Sequence, residues 1–300
     1  EKRVQALEKA GGGQYVARSK KTMNLVVSGH VNQLIQHRDN GQTSGLIFSG
    51  NSASETRFRL VGEGKLSDDL TARTRIEVGN TSSGNQSLDL NAEGADQGTF
   101  GIRQMDIRLS SKSMGAFTIG DSSLATDGYH GAGDMSGMAI IQDAGDEGVG
   151  AADENFKNSA TGANVQLVSA TFSNLDAGRK DHIGYDSPTF AGFKFQTSMS
   201  NEDGSNFGLR YGGEFGGVKV KGGIAYDTAR ANTDVSTVNG SIGVLLPMGL
   251  SLFVSAAETD TNGGVDEDRI YARIGYMFNA TELGQTRLGL GFGQHNDRAL

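Results

Sequence analysis

The sequence predicts an all-β chain whose strands run antiparallel, up and down, and close into a barrel. Three observations carry this expectation. Apolar and polar residues alternate with a period of 2 from about residue 22 to the end. Glycine is abundant, at 45 residues, while proline is only 2, so the glycines sit among strands and turns and not in Pro/Gly linkers. The connections between alternating segments are short and long in turn, which a sandwich does not require and an up-and-down barrel imposes.

Residues 1–21 form a polar N-terminal segment ahead of a barrel region over 22–300. Val4 and Leu7 share one helical stripe among Glu, Lys and Arg before Gly11-Gly12-Gly13, compatible with the last turns of a coiled coil or with a frayed polar terminus. Next, Leu25, Val27, Gly29, Val31 and Ile35 alternate with Ser28, His30, Asn32 and Gln36. Phe58 and Leu60 alternate with Arg57, Arg59, Glu63 and Lys65; Ile76 and Val78 with Arg73, Arg75 and Glu77; Met105, Ile107 and Leu109 with Gln104, Asp106 and Arg108. Phe193, Phe195 and Met199 face away from Lys194, Gln196 and Ser198, and Val218, Val220, Ile224 and Tyr226 from Lys219 and Lys221. Ile270, Ala272, Ile274, Tyr276 and Phe278 oppose Arg269, Tyr271 and Arg273, and Leu288, Leu290 and Phe292 follow.

Roughly twelve or thirteen such segments of about eight to eleven residues result. Short turns fall at Gly64–Asp69, Ser111–Met114, Gly212–Gly217 and Pro247–Gly249, and long polar connections at Gly79–Gly98, Asp227–Thr237 and Glu258–Asp268. Period alone does not separate a barrel from a sandwich with one solvated face. Strand number does, because more than a dozen strands without helical cover leave long edges that closure removes.

Mean hydropathy is −0.37 and no window approaches the ~20 apolar residues of a membrane helix. A transmembrane barrel needs only every second residue apolar, so it remains open. With no cysteine, disulfides and thiolate metal sites are excluded. The net charge of −8, with no basic stretch or stacking motif, argues against a nucleic-acid partner.

One charge pattern stands out. Between Gly120 and Lys157 lie eight carboxylates (Asp121, Asp127, Asp134, Asp143, Asp146, Glu147, Asp153 and Glu154) and no Lys or Arg. The segments before it place Arg57, Arg59, Lys65, Arg73, Arg75 and Arg108 on the polar face. An acidic loop opposite a basic wall sets a transverse field across the space between them. A solvated surface loop, or a salt-bridge network serving structure alone, are the plain alternatives.

The stretches Ser54–Lys65, Asp69–Ala72 and above all Arg103–Leu109 running into Gly115–Gly120 resemble the Gram-negative general-diffusion porins. The opening Leu25–Asn32 is similar to the first strand of porins of the alphaproteobacterial branch, some of which carry a short N-terminal coiled coil. The resemblance is specific from about residue 22 to 125 and diffuse beyond. It implies a sixteen-stranded outer-membrane barrel of a Gram-negative bacterium, surrounded by lipid and assembled as a homotrimer, with its third long loop folded into the lumen. It further implies Asp127, Asp134, Asp143, Asp146 and Glu147 as the acidic lining of that loop, and Arg57, Arg59, Arg73, Arg75 and Arg108 as the basic wall. The chain lacks a final strand ending in an aromatic residue and is shorter than sixteen strands require, so either about three strands lie beyond Leu300 or the barrel is smaller than the family's, and its start at Glu1 leads us to expect a targeting segment removed or left outside the sequence. Trp is absent and Tyr is 7, so interfacial aromatic girdles are expected to be thin or made of Phe.

Asp260, Asn262, Asp266 and Asp268 offer oxygen ligands for Ca²⁺ without EF-hand spacing, and a hairpin loop is the plainer reading. The five histidines are scattered, the glycine clusters precede no amphipathic helix, and no Gly-x-Ser-x-Gly elbow occurs, so neither a metal site, a nucleotide fold nor nucleophilic catalysis finds support. No cofactor is expected. The leading functional reading is a water-filled channel for passive diffusion of small hydrophilic solutes and ions. A structural or adhesive β protein of the cell envelope is the runner-up, and a hydrolase built on a barrel the third.

Overall fold

A computed structural model describes residues 15–19, 23–50, 54–80, 100–139, 155–167, 175–201, 204–228, 235–282 and 284–296. Eighteen strands occur among them: β1 (Tyr15–Ser19), β2 (Met23–His30), β3 (Gln33–Asp39), β4 (Ser44–Gly50), β5 (Arg57–Lys65), β6 (Leu70–Asn80), β7 (Phe100–Ser111), β8 (Gly115–Ser123) and β9 (Asn155–Lys157) come first. They are followed by β10 (Asn164–Leu167), β11 (Arg179–Asp186), β12 (Phe193–Ser200), β13 (Ser205–Phe215), β14 (Val218–Asp227), β15 (Val235–Leu245), β16 (Leu250–Thr261), β17 (Glu267–Thr281) and β18 (Gly284–Asn296). No α-helix occurs among the described residues.

Fourteen of these strands form one antiparallel sheet in the order β1-β2-β5-β6-β7-β8-β11-β12-β13-β14-β15-β16-β17-β18, so every strand pairs with its sequence neighbour in the sheet. Hairpins β3–β4 and β9–β10 are separate two-stranded sheets inserted between β2 and β5 and between β8 and β11. Up-and-down order puts the connections 20–22, 66–69, 112–114, 187–192, 216–217, 246–249 and 282–283 at one end. The connections 31–56, 81–99, 124–178, 228–234 and 262–266 lie at the other, with 201–204 as a short member. The alternation of loop lengths expected from the sequence is thus present, and the segment count rises to fourteen sheet strands.

Turn chemistry closes the short end. At Gly216-Gly217 both φ values are positive, 58° and 82°, the requirement of a two-residue type I′ hairpin that only glycine meets without strain. Asp69 joins two neighbouring turns: its carboxylate accepts from Ser111 Oγ at 2.6 Å and from the Lys112 backbone N–H at 3.0 Å.

Two details depart from simple alternation. The run from Leu25 to Gln36, continuous in the sequence, breaks after His30, and β3 leaves the sheet. Asn32 holds the base of this insertion: its backbone N–H donates to Thr56 Oγ1 at 3.0 Å and its side-chain amide to the Ser54 carbonyl at 2.9 Å. In β7 a register shift opposite Glu77 and Val78 places Arg103 and Gln104 on the same side in succession, as a β-bulge does. At the N-terminal side, Tyr15–Ser19 lies within the segment set apart by the sequence boundary at residue 22, and it pairs with β2 from Tyr15↔Val27 to Ser19↔Met23. The proposed coiled-coil stripe, Val4 and Leu7, lies outside the described residues.

The sheet is inside-out relative to a water-soluble protein. Its exposed face carries Ile76, Ile107, Ile119, Phe195, Leu209, Ile224, Leu252 and Ile274, while Glu77, Asp106, Ser122, His182, Asn206, Asn239, Ser255, Arg269 and Arg273 are buried. Among the buried described residues, Phe253 and Tyr271 form a small apolar cluster. An apolar outer band around a polar interior is what lipid outside and water inside demand of a barrel.

Candidate functional site

The polar face of β5, β6 and β7 carries the arginines singled out in the sequence. Strand alternation aims Arg57 and Arg59 inward from β5, Arg73 and Arg75 from β6, and Arg108 from β7, with Phe58, Ile76 and Ile107 facing out. They do not stand as bare positive charges. Fully buried Glu77 accepts from Arg59 Nε at 2.5 Å and from Arg103 Nε at 3.1 Å, and pairs with Arg57 at 3.5 Å; Arg103 also bonds Glu55. Asp106 accepts from Arg73 Nη2 at 2.7 Å and Arg75 Nε at 2.6 Å. Asp186 of β11 bonds Arg108 and accepts from Lys194 Nζ at 3.0 Å and Gln196 Nε2 at 2.8 Å. Each cluster holds one more cation than it has carboxylates.

The segment after β8 crosses the inner wall in the direction of β18. The Ala125 N–H donates to Ser198 Oγ on β12 at 2.8 Å, and Thr126 bonds Asp227 on β14. The Tyr129 hydroxyl donates to Gln196 at 3.0 Å, and its carbonyl accepts from Ser241 Oγ on β15 at 2.6 Å. Arg273 on β17 binds Asp134 at 2.6 Å, and Arg287 on β18 donates to the Gly137 carbonyl at 2.8 Å. The returning limb is tied to the outgoing one at Asp176, which bonds His130 and Asn239 and accepts the Gly128 N–H at 2.6 Å. Burial pushes the Tyr129 hydroxyl up to about 12, so it stays a neutral donor at physiological pH.

Glycine makes room for this crossing. A Cβ at Gly223 would lie 2.8 Å from the Tyr129 ring, and one at Gly133 would lie 2.5 Å from the Gly243 backbone nitrogen, so loop and strand backbones lie directly against each other. One residue, Tyr129, thus touches β12, β14 and β15 on a single face, which a wall curved around the loop permits.

Between loop and basic wall lies a cavity of 270 Å³, lined by Arg73, Arg75, Gln104 and Arg108 on one side and by Leu124, Ala125 and Asp127 of the loop, with Gln196 and Arg210 beyond. Of the acidic residues expected in the loop, Asp127 reaches this cavity, whereas Asp134 is buried against Arg273. Asp143, Asp146 and Glu147 lie outside the described residues. Sequence reasoning missed Arg103, whose inward turn depends on the bulge, and Arg210, which alternation along β13 could have placed. The salt-bridge alternative carries no assigned acids in the sequence reading; Glu77 and Asp106, both visible on the same polar face, are the ones that pair with the arginines.

Of the Ca²⁺ candidates, two carboxylates accept local hydrogen bonds and a third is exposed. Asp266 accepts the Thr261 N–H at 2.9 Å, Asp268 accepts from Asn296 at 3.0 Å, and Asp260 is exposed. Asn262 makes interactions of its own. Among the described residues no group of three or more His, Cys, Asp or Glu could hold a metal ion.

Known proteins agree with this architecture. The fold matches an anion-selective porin from Comamonas acidovorans (TM-score 0.56, 15% identity, 91% of this chain and 80% of that chain). It also matches Salmonella typhi OmpF in complex with daunomycin (0.57, 14%, 94% and 81%) and the outer membrane channel DcaP of Acinetobacter baumannii (0.54, 12%, 96% and 82%). No curated protein sequence matches at a significant level. A family model described as Gram-negative porin matches residues 13–299. A match of that extent, on a sheet with its polar face turned in upon a loop and its apolar face turned out, shows that the chain belongs to the Gram-negative porins, outer-membrane channels for passive diffusion of small hydrophilic solutes.

Proposed function

We propose that the pore is narrowed between the wall arginines Arg73, Arg75 and Arg108 and the loop over Leu124–Met138, and that selectivity among solutes and ions is set there. The observation that carries this reading is the cavity lined from both sides by those residues. Arg57 and Arg59 extend the basic wall beside it, and Asp143, Asp146 and Glu147 continue the acidic lining beyond Asp127. The protein performs no chemistry on what passes and needs no cofactor. The similarity of Leu25–Asn32 to alphaproteobacterial first strands supports that subtype.

In the membrane the chain sits in outer-membrane lipid as a homotrimer. Besides the family resemblance, the outer face of the early strands supports this: Gly29, Gly62, Gly64 and Thr74 offer lipid little apolar surface but let another barrel approach closely. Recording in a planar lipid bilayer tests both parts. The expected result is insertion events of stable size that close in three equal levels. Silence from correctly folded protein would overturn the pore, and single-level closure would overturn the trimer.

A further inference from the structure

We propose that a notch in the apolar outer band, where β8 pairs with β11, docks the headgroup of an amine-bearing membrane lipid between Asp121 and Asp181. The site lies on the lipid side of the wall, apart from the narrow passage inside it. On β7 the outward positions are apolar over most of the strand: Phe100, Ile102, Met105, Ile107 and Leu109 are all exposed. On the next pair the apolar stretch is short. Phe117 lies opposite Tyr185 and Ile119 opposite Ile183, and the row after them, toward the long connections, is Asp121 opposite Asp181. Strand alternation turns both aspartates outward, since their neighbours Ser122 and His182 are buried on the inner face.

Carboxylates facing hydrocarbon are costly, and like charges directly opposite on paired strands repel, with Cβ atoms about 4.5–5.5 Å apart. Neither Asp121 nor Asp181 makes a hydrogen bond or an ion pair among the described residues. Arg179, one row nearer the long connections and opposite Ser123, offsets one of the two charges. The other needs a cation from outside the chain. Where the apolar stretch of a wall is short the bilayer thins, so headgroups come down to the acid row.

A cavity of about 340 Å³ opens at the same place. Ile119, Ile183 and Met199, which form one cross-strand row, line its apolar side, and Asp181 and Asn201 line its polar side. That division fits an amphiphile. The upper part of an acyl chain lies on the apolar row, and a primary ammonium, with three N–H donors, bridges the two carboxylates. A bare divalent cation has no use for the apolar side, and among the described residues no group of three or more His, Cys, Asp or Glu could hold one. Another barrel is a poor match, because the outward positions of β2 and β5–β7, the strands that the trimer reading turns toward a partner, carry no Lys or Arg.

Native mass spectrometry of the detergent-solubilised protein tests this. The probe is an equimolar mixture of dioleoyl phosphatidylethanolamine and dioleoyl phosphatidylglycerol in EDTA, two lipids that share chains and phosphate and differ in the ammonium. The native protein should retain the ethanolamine lipid about tenfold more, equivalent to about 1.4 kcal/mol. Asp121→Asn with Asp181→Asn should abolish the preference, and Asp260→Asn, at an outward position of β16, should keep it. Chloride conduction shows that each variant folded; should the double variant not conduct, Asp181→Asn alone carries the comparison. Equal retention of both lipids by the native protein would overturn the proposal, and so would a preference that survives in the aspartate variants or disappears in Asp260→Asn. Retention that appears only when Ca²⁺ replaces EDTA would give the two carboxylates to a divalent cation and overturn it as well.

Discussion

Gly243 shows how a single residue positions the loop. A Cβ there would overlap the Gly133 carbonyl, and Gly133 in turn has no room for a side chain against Ile242 and Gly243. Neither backbone can yield without giving up the hydrogen bonds that Ser241 makes to Tyr129 and Gly133. Gly243→Val should therefore dislodge the loop from the wall, at a cost of about 1–3 kcal/mol for the overpacking. Open-pore conductance should rise while the barrel remains folded, and a variant with native conductance and native thermal stability would refute the seat. Nothing local in the sequence marks this glycine, since its partner lies far away along the chain. The arginines are a different case. Period-2 reading placed Arg57, Arg59, Arg73, Arg75 and Arg108 on one face, and they line one wall; what it could not give was their sharing of Glu77 and Asp106, because register across strands decides which carboxylate meets which guanidinium.

For a strand, the question is which face meets lipid. On β17, Ile274 is 46% exposed and its neighbour Arg273 is 5% exposed, so alternate residues belong to opposite environments. Ile274→Arg puts a guanidinium on the lipid face and should destabilise the barrel by about 2–4 kcal/mol if it lies near the midplane, less near an interface. Denaturant titration in lipid vesicles measures this directly, and no loss of stability would reverse the face assignment. Strands with strict alternation were legible in the sequence because lipid and water impose opposite chemistry on successive residues. Elements that escape that constraint were not. The β3–β4 hairpin stands outside the main sheet, where no lipid enforces its period, and the β7 bulge breaks the period by one residue.

Across the whole molecule, the up-and-down order and the segregation of short and long connections were legible from loop composition alone. The electrostatics of the lumen were legible only in part, since the wall carries its own acids and the loop's Asp134 is consumed by Arg273. The net field across the passage then depends on what each side has left over. On the wall, Arg73 and Arg75 retain one positive charge after sharing Asp106. On the loop, Asp127 takes no part in an ion pair among the described residues, and Asp143, Asp146 and Glu147 are proposed to act with it. Low-dielectric walls focus such charges, so small imbalances steer ions. Replacing Arg73 and Arg75 by Gln should shift the reversal potential in a salt gradient toward cations. Replacing Asp143 and Asp146 by Asn and Glu147 by Gln should shift it toward anions. Both shifts should shrink as salt rises, because the Debye length falls from ~10 Å at 0.1 M to ~3 Å at 1 M. If folded, conducting variants of both kinds kept the native reversal potential at low salt, the charges would lie outside the path that ions take, and the narrow passage would have to be sought elsewhere along the lumen.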